Sequence, residues 1–170
     1  MDLFVISDTH FGHKNILKLC NRPFESVEQM DESMIEKWNS VVSVNDKVIH
    51  CGDFGFCSQE RFDVLMRCLN GRKILILGNH DNRSWRFYLD NNRFDVICKY
   101  LSFKGILFTH RPKDYFDMCE EKLNIHGHIH NNVINTGYDN TDQKRINVSV
   151  EVINYTPISV EEIRDKNKWR

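Results

Sequence analysis

The 170-residue sequence has no long apolar run, no paired-cysteine motif and almost no net charge. No stretch approaches the roughly 20 apolar residues that a membrane-spanning helix needs. Lys and Arg number 23 against 24 Asp and Glu, a formal net charge of −1. That balance excludes broad electrostatic attachment to nucleic acid or an anionic membrane, though not a local basic rim. The six cysteines (Cys20, Cys51, Cys57, Cys68, Cys98 and Cys119) include no C-x-x-C pair. They are expected to be reduced thiols, several of them core fillers. Met1 runs straight into a strand-like segment without a basic leader, so no export signal is expected and a cytoplasmic location is. The sequence offers no P-loop, nucleotide fingerprint, repeat, low-complexity tract, linker or inserted cap. The length suits one domain over residues 1–170 with a sizeable core.

What the sequence does have is histidine in patterned places. All eight histidines lie in or near five short motifs: Asp8-Thr9-His10, Gly52-Asp53, Gly78-Asn79-His80-Asp81, His110, and Gly127-His128-Ile129-His130. Together these supply three carboxylates, one amide oxygen and five imidazoles. Hard oxygen and imidazole ligands suit a pair of divalent cations about 3.5–4 Å apart, which clamp the attacking and leaving oxygens of an in-line displacement. One ligand must then bridge, and a carboxylate has two oxygens to do so. Sulfur is absent from the motifs, although Cys51 abuts one. The set therefore favours Mn²⁺, Fe, Zn²⁺, Ni²⁺ or Co²⁺ in a mixed nitrogen–oxygen site over a structural zinc thiolate.

The motifs share one context. Leu3–Ser7, Lys47–Cys51, Arg72–Leu77, Gly105–Thr109 and Leu123–Ile125 each precede one of them and read as short buried strands. In open α/β sheets the site lies beyond the carboxyl ends of the strands, so five strand ends converging on one edge would gather these side chains. Between the motifs, Ser26 and Gln29 have capping-box spacing. The helix they open carries Val27, Met30, Met34, Ile35, Trp38, Val41 and Val42 at helical spacing. Ser58 is expected to cap a second helix through Phe62, Leu65, Met66 and Leu69, ended by Asn70-Gly71. Phe94–Phe103 and Gly105–Phe108 read as strands joined in a hairpin at Lys104-Gly105. Arg145–Ile153 reads as a strand and Ser159–Lys168 as a short helix whose acidic start and basic end suit the dipole. The expected fold is α/β: a two-sheet β-sandwich flanked by helices.

Five blocks in this order (D-x-H, G-D, G-N-H-D, a lone H, then G-H-x-H), spanning residues 8–130, resemble the calcineurin-like metallophosphoesterases. The opening SDTHFGHKNI and the later NVSVE (residues 147–151) resemble a compact prokaryotic and phage branch of that family. The resemblance implies the αββα fold and a metal-dependent phosphoesterase that uses metal-activated water. It implies that Asp8, His10, Asp53 and His130 hold a first metal, with Asp53 bridging, and that Asn79, His110 and His128 complete a second. It implies two divalent ions, Mn²⁺ foremost. His80 would be a general acid or a donor to the phosphoryl oxygens, with adjacent Asp81 orienting it. The His128-x-His130 spacing would set both rings on one side of an extended segment. Phosphodiesters are favoured over monoesters because no cap encloses a small substrate. Nucleotides and nucleic-acid ends are open alternatives, and nothing points to a membrane or to an obligate protein partner.

Each residue also has a plainer reading. Asp8, Asp53 and Asn79 taken singly are turn formers, and His110 a satisfied strand-end histidine. His50 is expected to be packed or to support a ligand, and His126 to face away from the metals or support them. His13 and Arg111 are candidate substrate contacts. Trp85, Tyr88 and Tyr115 are aromatics that stack on a base or, more commonly, pack. Asp139–Arg145 reads as a solvated loop. Members of this fold that lose catalysis become binding scaffolds, but such loss should show as missing ligands or a replaced catalytic histidine, and neither is seen here.

Overall fold

The apolar runs become two stacked β-sheets. The computed structural model describes residues 1–113, 121–131 and 144–166. The first sheet has five strands in the order β4 (Val96–Cys98), β3 (Arg72–Ile76), β2 (Lys47–His50), β1 (Leu3–Ile6) and β9 (Ile158–Ser159). Strands β1 to β4 are parallel and β9 pairs antiparallel with β1. The second sheet has the order β5 (Tyr100–Phe103), β6 (Ile106–Thr109), β7 (Leu123–His126) and β8 (Arg145–Asn147). Here β6, β7 and β8 are parallel, and β5 joins β6 as the expected hairpin. Its two-residue turn has φ of 51° at Lys104 and 76° at Gly105, the left-handed pair that matches strand twist.

Period-two alternation divides the core. In β1, Val5 enters an apolar cluster shared by both sheets, with Ile49, Ile76, Phe108 and Ile125. Phe4 and Ile6 enter a second cluster against helices α2 (Val27–Val41) and α3 (Gln59–Cys68), which contribute Met30, Met34, Trp38, Phe62 and Leu65. The central strands β1, β2 and β3 are thus largely buried on both faces, which is why they read as continuous apolar runs. Both caps stand where expected: Ser26 Oγ accepts the Gln29 N–H at 3.1 Å and Ser58 Oγ the Arg61 N–H at 3.3 Å. Among the described residues there are also three shorter α-helices, α1 (Ile16–Leu19), α4 (Trp85–Leu89) and α5 (Val160–Lys166). No helix among the described residues is long and apolar enough to cross a membrane.

Three expectations are corrected. The run Phe94–Phe103 is two strands: β4 pairs with β3, and β5 pairs with β6 in the other sheet. Ile97 packs in the helix-side cluster and Leu101 in the inter-sheet cluster, and one continuous strand cannot serve both. The strand from Arg145 stops at Asn147, because the chain turns to aim Ser149 and Glu151 at the site described below. The last helix begins at Val160 and is followed to Lys166. Trp85 lies in α4, 53% exposed, and Tyr88 is buried in the helix-side cluster, so Tyr88 has no face left for a base. Tyr115, Cys119 and most of the Asp139–Arg145 segment lie outside the described residues. The five cysteines among the described residues are free thiols.

Candidate metal centre

Every motif follows the carboxyl end of a parallel strand. Asp8 and His10 follow β1, Asp53 follows β2, and Asn79 and His80 follow β3, while His110 follows β6 and His128 and His130 follow β7. The first sheet delivers mainly oxygen and the second delivers imidazole, and the two meet at one edge. The loops there are tightly wound. Asp8, His10, Asp53, His128 and His130 all have φ between 50° and 72°, a left-handed backbone that few non-glycine residues adopt. Such strain persists where surrounding structure enforces it, and it concentrates at functional sites. The glycines between them permit close approach: a Cβ on Gly127 would collide with Ser7 Oγ and Asp8 Oδ2, and one on Gly78 with the Asp53 carboxylate.

The side chains form two ligand groups. Asp8, His10 and His130 offer atoms within 4.8 Å of one another, as do Asp53, His110 and His128. Asn79 Oδ1 joins the second, 3.0 Å from His110 Nε2. Asp53 Oδ2 stands between them, 3.8 Å from His10 Nε2 and 3.4 Å from His110 Nε2. His128 Nδ1 is 3.2 Å from His110 Nε2, whereas the His130 ring stacks on His10 with centroids 5.3 Å apart. The two histidines of G-H-x-H therefore serve different groups, but not from an extended segment. Left-handed φ at each turns the backbone and parts the rings.

These residues fit cations. Asp8 Oδ1 and His10 Nε2 are buried with no hydrogen-bond partner, and both belong to the first group. Orphaned buried polar atoms call for an explanation, and a metal ion supplies one. Burial, reinforced by His130 and Arg22, pushes the His10 imidazole far below its ordinary value. Burial and His110 push His128 down to about 4. Both rings are neutral at pH 7, the form that ligates a metal. Burial holds the Asp53 carboxyl above its usual range, against the opposing pull of His110 and the His80 N–H, and nearby Asp8 adds to the rise. His130 runs the other way. Against the pull of burial, the Cys20 thiol and the Glu151 carboxylate raise it to about 10, and a cation there would compete with that proton.

The flanking residues divide into supports and surface groups. Asp81, expected to orient His80, braces two loops: its carboxylate accepts the N–H of Asp53 at 2.7 Å, Gly78 at 2.8 Å and Phe54 at 3.1 Å. His50 Nε2 is 2.9 Å from Thr9 Oγ1 and its Nδ1 accepts the Gly52 N–H, so it supports the strand ends. His126 is buried, its Nδ1 against the Gly127 carbonyl oxygen. His80 donates its backbone N–H to Asp53 Oδ1 at 2.8 Å, while its exposed ring lies 5.7 Å from His10 and 5.1 Å from Phe56. His13 stacks on Phe56 at 4.3 Å, and the Arg111 guanidinium comes within 3.5 Å of Asn79 Oδ1.

Four contributors were not singled out from sequence. Glu151 accepts His130 Nδ1–H at 2.9 Å and the Arg22 guanidinium at 2.7 Å. Arg22 also donates to the carbonyl oxygens of Asp8 and Thr9. Ser149 Oγ donates to Asp8 Oδ2 at 3.0 Å, and Phe56 packs against three histidine rings. The NVSVE string contains both Ser149 and Glu151 and was the available signal. Arg22 and Phe56 had none, since neither stands in a motif.

Two ligand groups joined through one carboxylate, at the carboxyl edge of two stacked sheets, define a metal-dependent phosphoesterase site. Sequence comparison agrees: the pattern of the calcineurin-like phosphoesterase superfamily domain matches residues 1–150, and the chain belongs to that superfamily. It is 38% identical over 162 residues to the uncharacterized protein MJ1445 of Methanocaldococcus jannaschii, covering 94% of this chain and 87% of that protein. It is 37% identical over 78 residues to the gene 66 protein of Mycobacterium phage L5, covering 44% of this chain and 37% of that protein. The crystal structure of AQ665 from Aquifex aeolicus, a protein of unknown function, superposes with a TM-score of 0.75 at 31% identity, covering 97% of this chain and 98% of that one.

Proposed function

We propose that the chain hydrolyses phosphodiesters with two divalent ions, Mn²⁺ foremost and Fe, Zn²⁺, Ni²⁺ or Co²⁺ as alternatives. The observation that carries this reading is Asp53 Oδ2 lying between the two ligand groups. Asp8, His10 and His130 would hold one ion, Asn79, His110 and His128 the other, and Asp53 both. When bound, the ions neutralise phosphoryl charge and lower the pKa of water. The chain's own groups do the rest. Water releases one proton to solvent as its oxygen bonds to phosphorus, the bond from phosphorus to the leaving oxygen breaks, and that oxygen takes a proton from the His80 ring, which regains one from solvent. His80 suits this because its backbone is tied to Asp53 while its ring faces solvent. Arg111 and His13 flank the exposed side and would bind the remaining phosphoryl oxygens. Asp81 acts through others: by holding three backbone N–H groups it fixes the Asp53 and Asn79 loops. Exposure of Asn79 and His80 at the rim supports a substrate larger than the site itself.

The test compares bis-p-nitrophenyl phosphate with p-nitrophenyl phosphate across these metals, with metal content measured in parallel. The diester should turn over faster, with two ions per chain at saturation, and Asp53→Ala should lose both metal and activity. Faster turnover of the monoester would make the protein a phosphomonoesterase. No turnover with any divalent metal would make it a scaffold. Full activity with one ion per chain would overturn the dinuclear reading.

A further inference from the structure

A groove of about 730 Å³ opens beside the candidate metal centre, with Asn79 and His110 among its lining residues. A phosphate alone needs far less space, and this volume is within the range of about 300–1,000 Å³ typical of sites that enclose a drug-sized ligand. Its apolar lining includes Leu77 and Leu107, and its cations are Lys99, Arg111 and Lys113 against one carboxylate, Glu121. In a chain of net charge −1, this is a local concentration of positive charge. It adjoins Tyr100, 65% exposed on the edge strand β5.

The groove is built on fixed elements. Lys99 sits where the chain crosses between sheets, held by the pairing of Cys98 with Ile76 on one side and of Tyr100 with Thr109 on the other. The Arg111–Lys113 segment is anchored from beneath by Asn124, which is fully buried. Asn124 Oδ1 accepts the Lys113 N–H at 2.9 Å, and its amide group donates to the Leu107 carbonyl and to Thr109 Oγ1, both at 2.9 Å. Thr109 Oγ1 in turn donates to the Arg111 carbonyl at 2.6 Å. Cations held on a rigid rim beside an exposed aromatic ring are the two components by which proteins grip single-stranded nucleic acid: charge follows the backbone phosphates, and bases stack on the ring.

We propose that this groove seats a nucleotide unit covalently joined to the scissile phosphate, making the substrate a single-stranded polynucleotide. The inference rests on the phosphodiesterase reading above and assigns the leaving or retained nucleotide to Lys99, Tyr100 and Lys113. An isolated phosphate ester would fill the metal centre and leave the groove empty.

The test uses the full chain loaded with Mn²⁺ and two substrates, bis-p-nitrophenyl phosphate and a single-stranded oligodeoxynucleotide with a terminal fluorophore. Lys99→Glu with Lys113→Glu should lower kcat/KM for the oligonucleotide at least about tenfold while changing that for bis-p-nitrophenyl phosphate less than about twofold. The slope of log kcat/KM against log salt for the oligonucleotide should become shallower by about one per lysine lost. Tyr100→Ala should cost about fivefold or more on the oligonucleotide alone, the scale of one lost base stack. Unequal losses of this kind, with the wild-type protein cutting both substrates, support the groove. Equal losses on both substrates, no loss on either, or a wild-type protein that cuts only bis-p-nitrophenyl phosphate would overturn the groove and leave the phosphodiesterase reading standing. A wild-type protein that cuts neither would overturn the phosphodiesterase reading, and the groove proposal with it.

Discussion

Replacing His80 with Ala separates proton donation from metal holding. Its link to Asp53 is through the backbone N–H, so the substitution deletes the ring and leaves that contact. We expect metal content and fold to persist and the rate to fall by roughly 10²–10⁴, the usual scale for a lost proton donor. The loss should be smaller with p-nitrophenol as leaving group, which needs little protonation; equal losses with good and poor leaving groups, or loss of metal, would contradict the role. Glu151 tests the opposite function. Its carboxylate orients the His130 ring and is itself held by Arg22, whose guanidinium also grips the Asp8 and Thr9 carbonyl oxygens. Glu151→Gln should weaken binding at the Asp8–His10–His130 group by about 10–100-fold, the usual cost of removing such a partner, with the fold retained. Calorimetric metal titration checks this, and an unchanged isotherm would reduce Glu151 to a structural ion pair. The residues of the two candidate ligand groups were legible in sequence because each stands in a motif. Glu151 was half legible, within a string noted for likeness alone, and Arg22 was not, because it stands outside every motif.

Strands were read well where one burial pattern governs the whole run, and poorly where the chain changes partners. β1, β2, β3, β6 and β7 are buried almost throughout, and each was visible as an apolar run before a motif. The break at Lys99 was not visible, because Phe94–Phe103 looks uniformly strand-like and only the demands of two separate clusters divide it. The two-residue β9 is too short to carry a periodic signal, and α1 and α4 span only four and five residues. Glycines at strand ends expose what these elements contribute. Gly127 follows β7, and a methyl group there would strike Ser7 and Asp8. Gly105 turns the β5–β6 hairpin at φ +76°, with nothing within 4 Å of the added Cβ. Gly127→Ala should therefore displace Asp8 and cost metal occupancy as well as about 1–3 kcal/mol of stability, the scale of overpacking. Gly105→Ala should cost about 1–2 kcal/mol through backbone strain alone, with metal content unchanged. Urea unfolding with metal analysis separates them, and equal metal loss in both variants would remove the distinction.

Candidate ligands from both sheets meet at one edge, so metal binding should also fasten the sandwich. Asp8, His10, Asp53 and Asn79 come from the five-stranded sheet, and His110, His128 and His130 from the four-stranded sheet. Between the sheets lies an apolar cluster that holds them in register, yet the edge beyond it is polar and carries five left-handed ligand positions. Without cations that edge leaves two buried polar atoms, Asp8 Oδ1 and His10 Nε2, with no hydrogen-bond partner, which opposes compaction. With cations the same atoms become cross-links that the unfolded chain cannot assemble. A metal held at 100 times its Kd stabilises a folded state by about 2.7 kcal/mol per site. For a domain of this size each kcal/mol corresponds to about 2–4 °C in Tm. Chelation should therefore lower Tm by about 5–10 °C for each ion removed, and restoring Mn²⁺ should reverse it. Asp53→Ala, which removes the carboxylate between the two ligand groups, should melt near the chelated wild type and respond weakly to added Mn²⁺. Scanning calorimetry with and without chelator checks this. Equal Tm values for the loaded and chelated wild type would mean that the apolar cluster alone holds the sheets together, and that the left-handed loops keep their conformation without the ions.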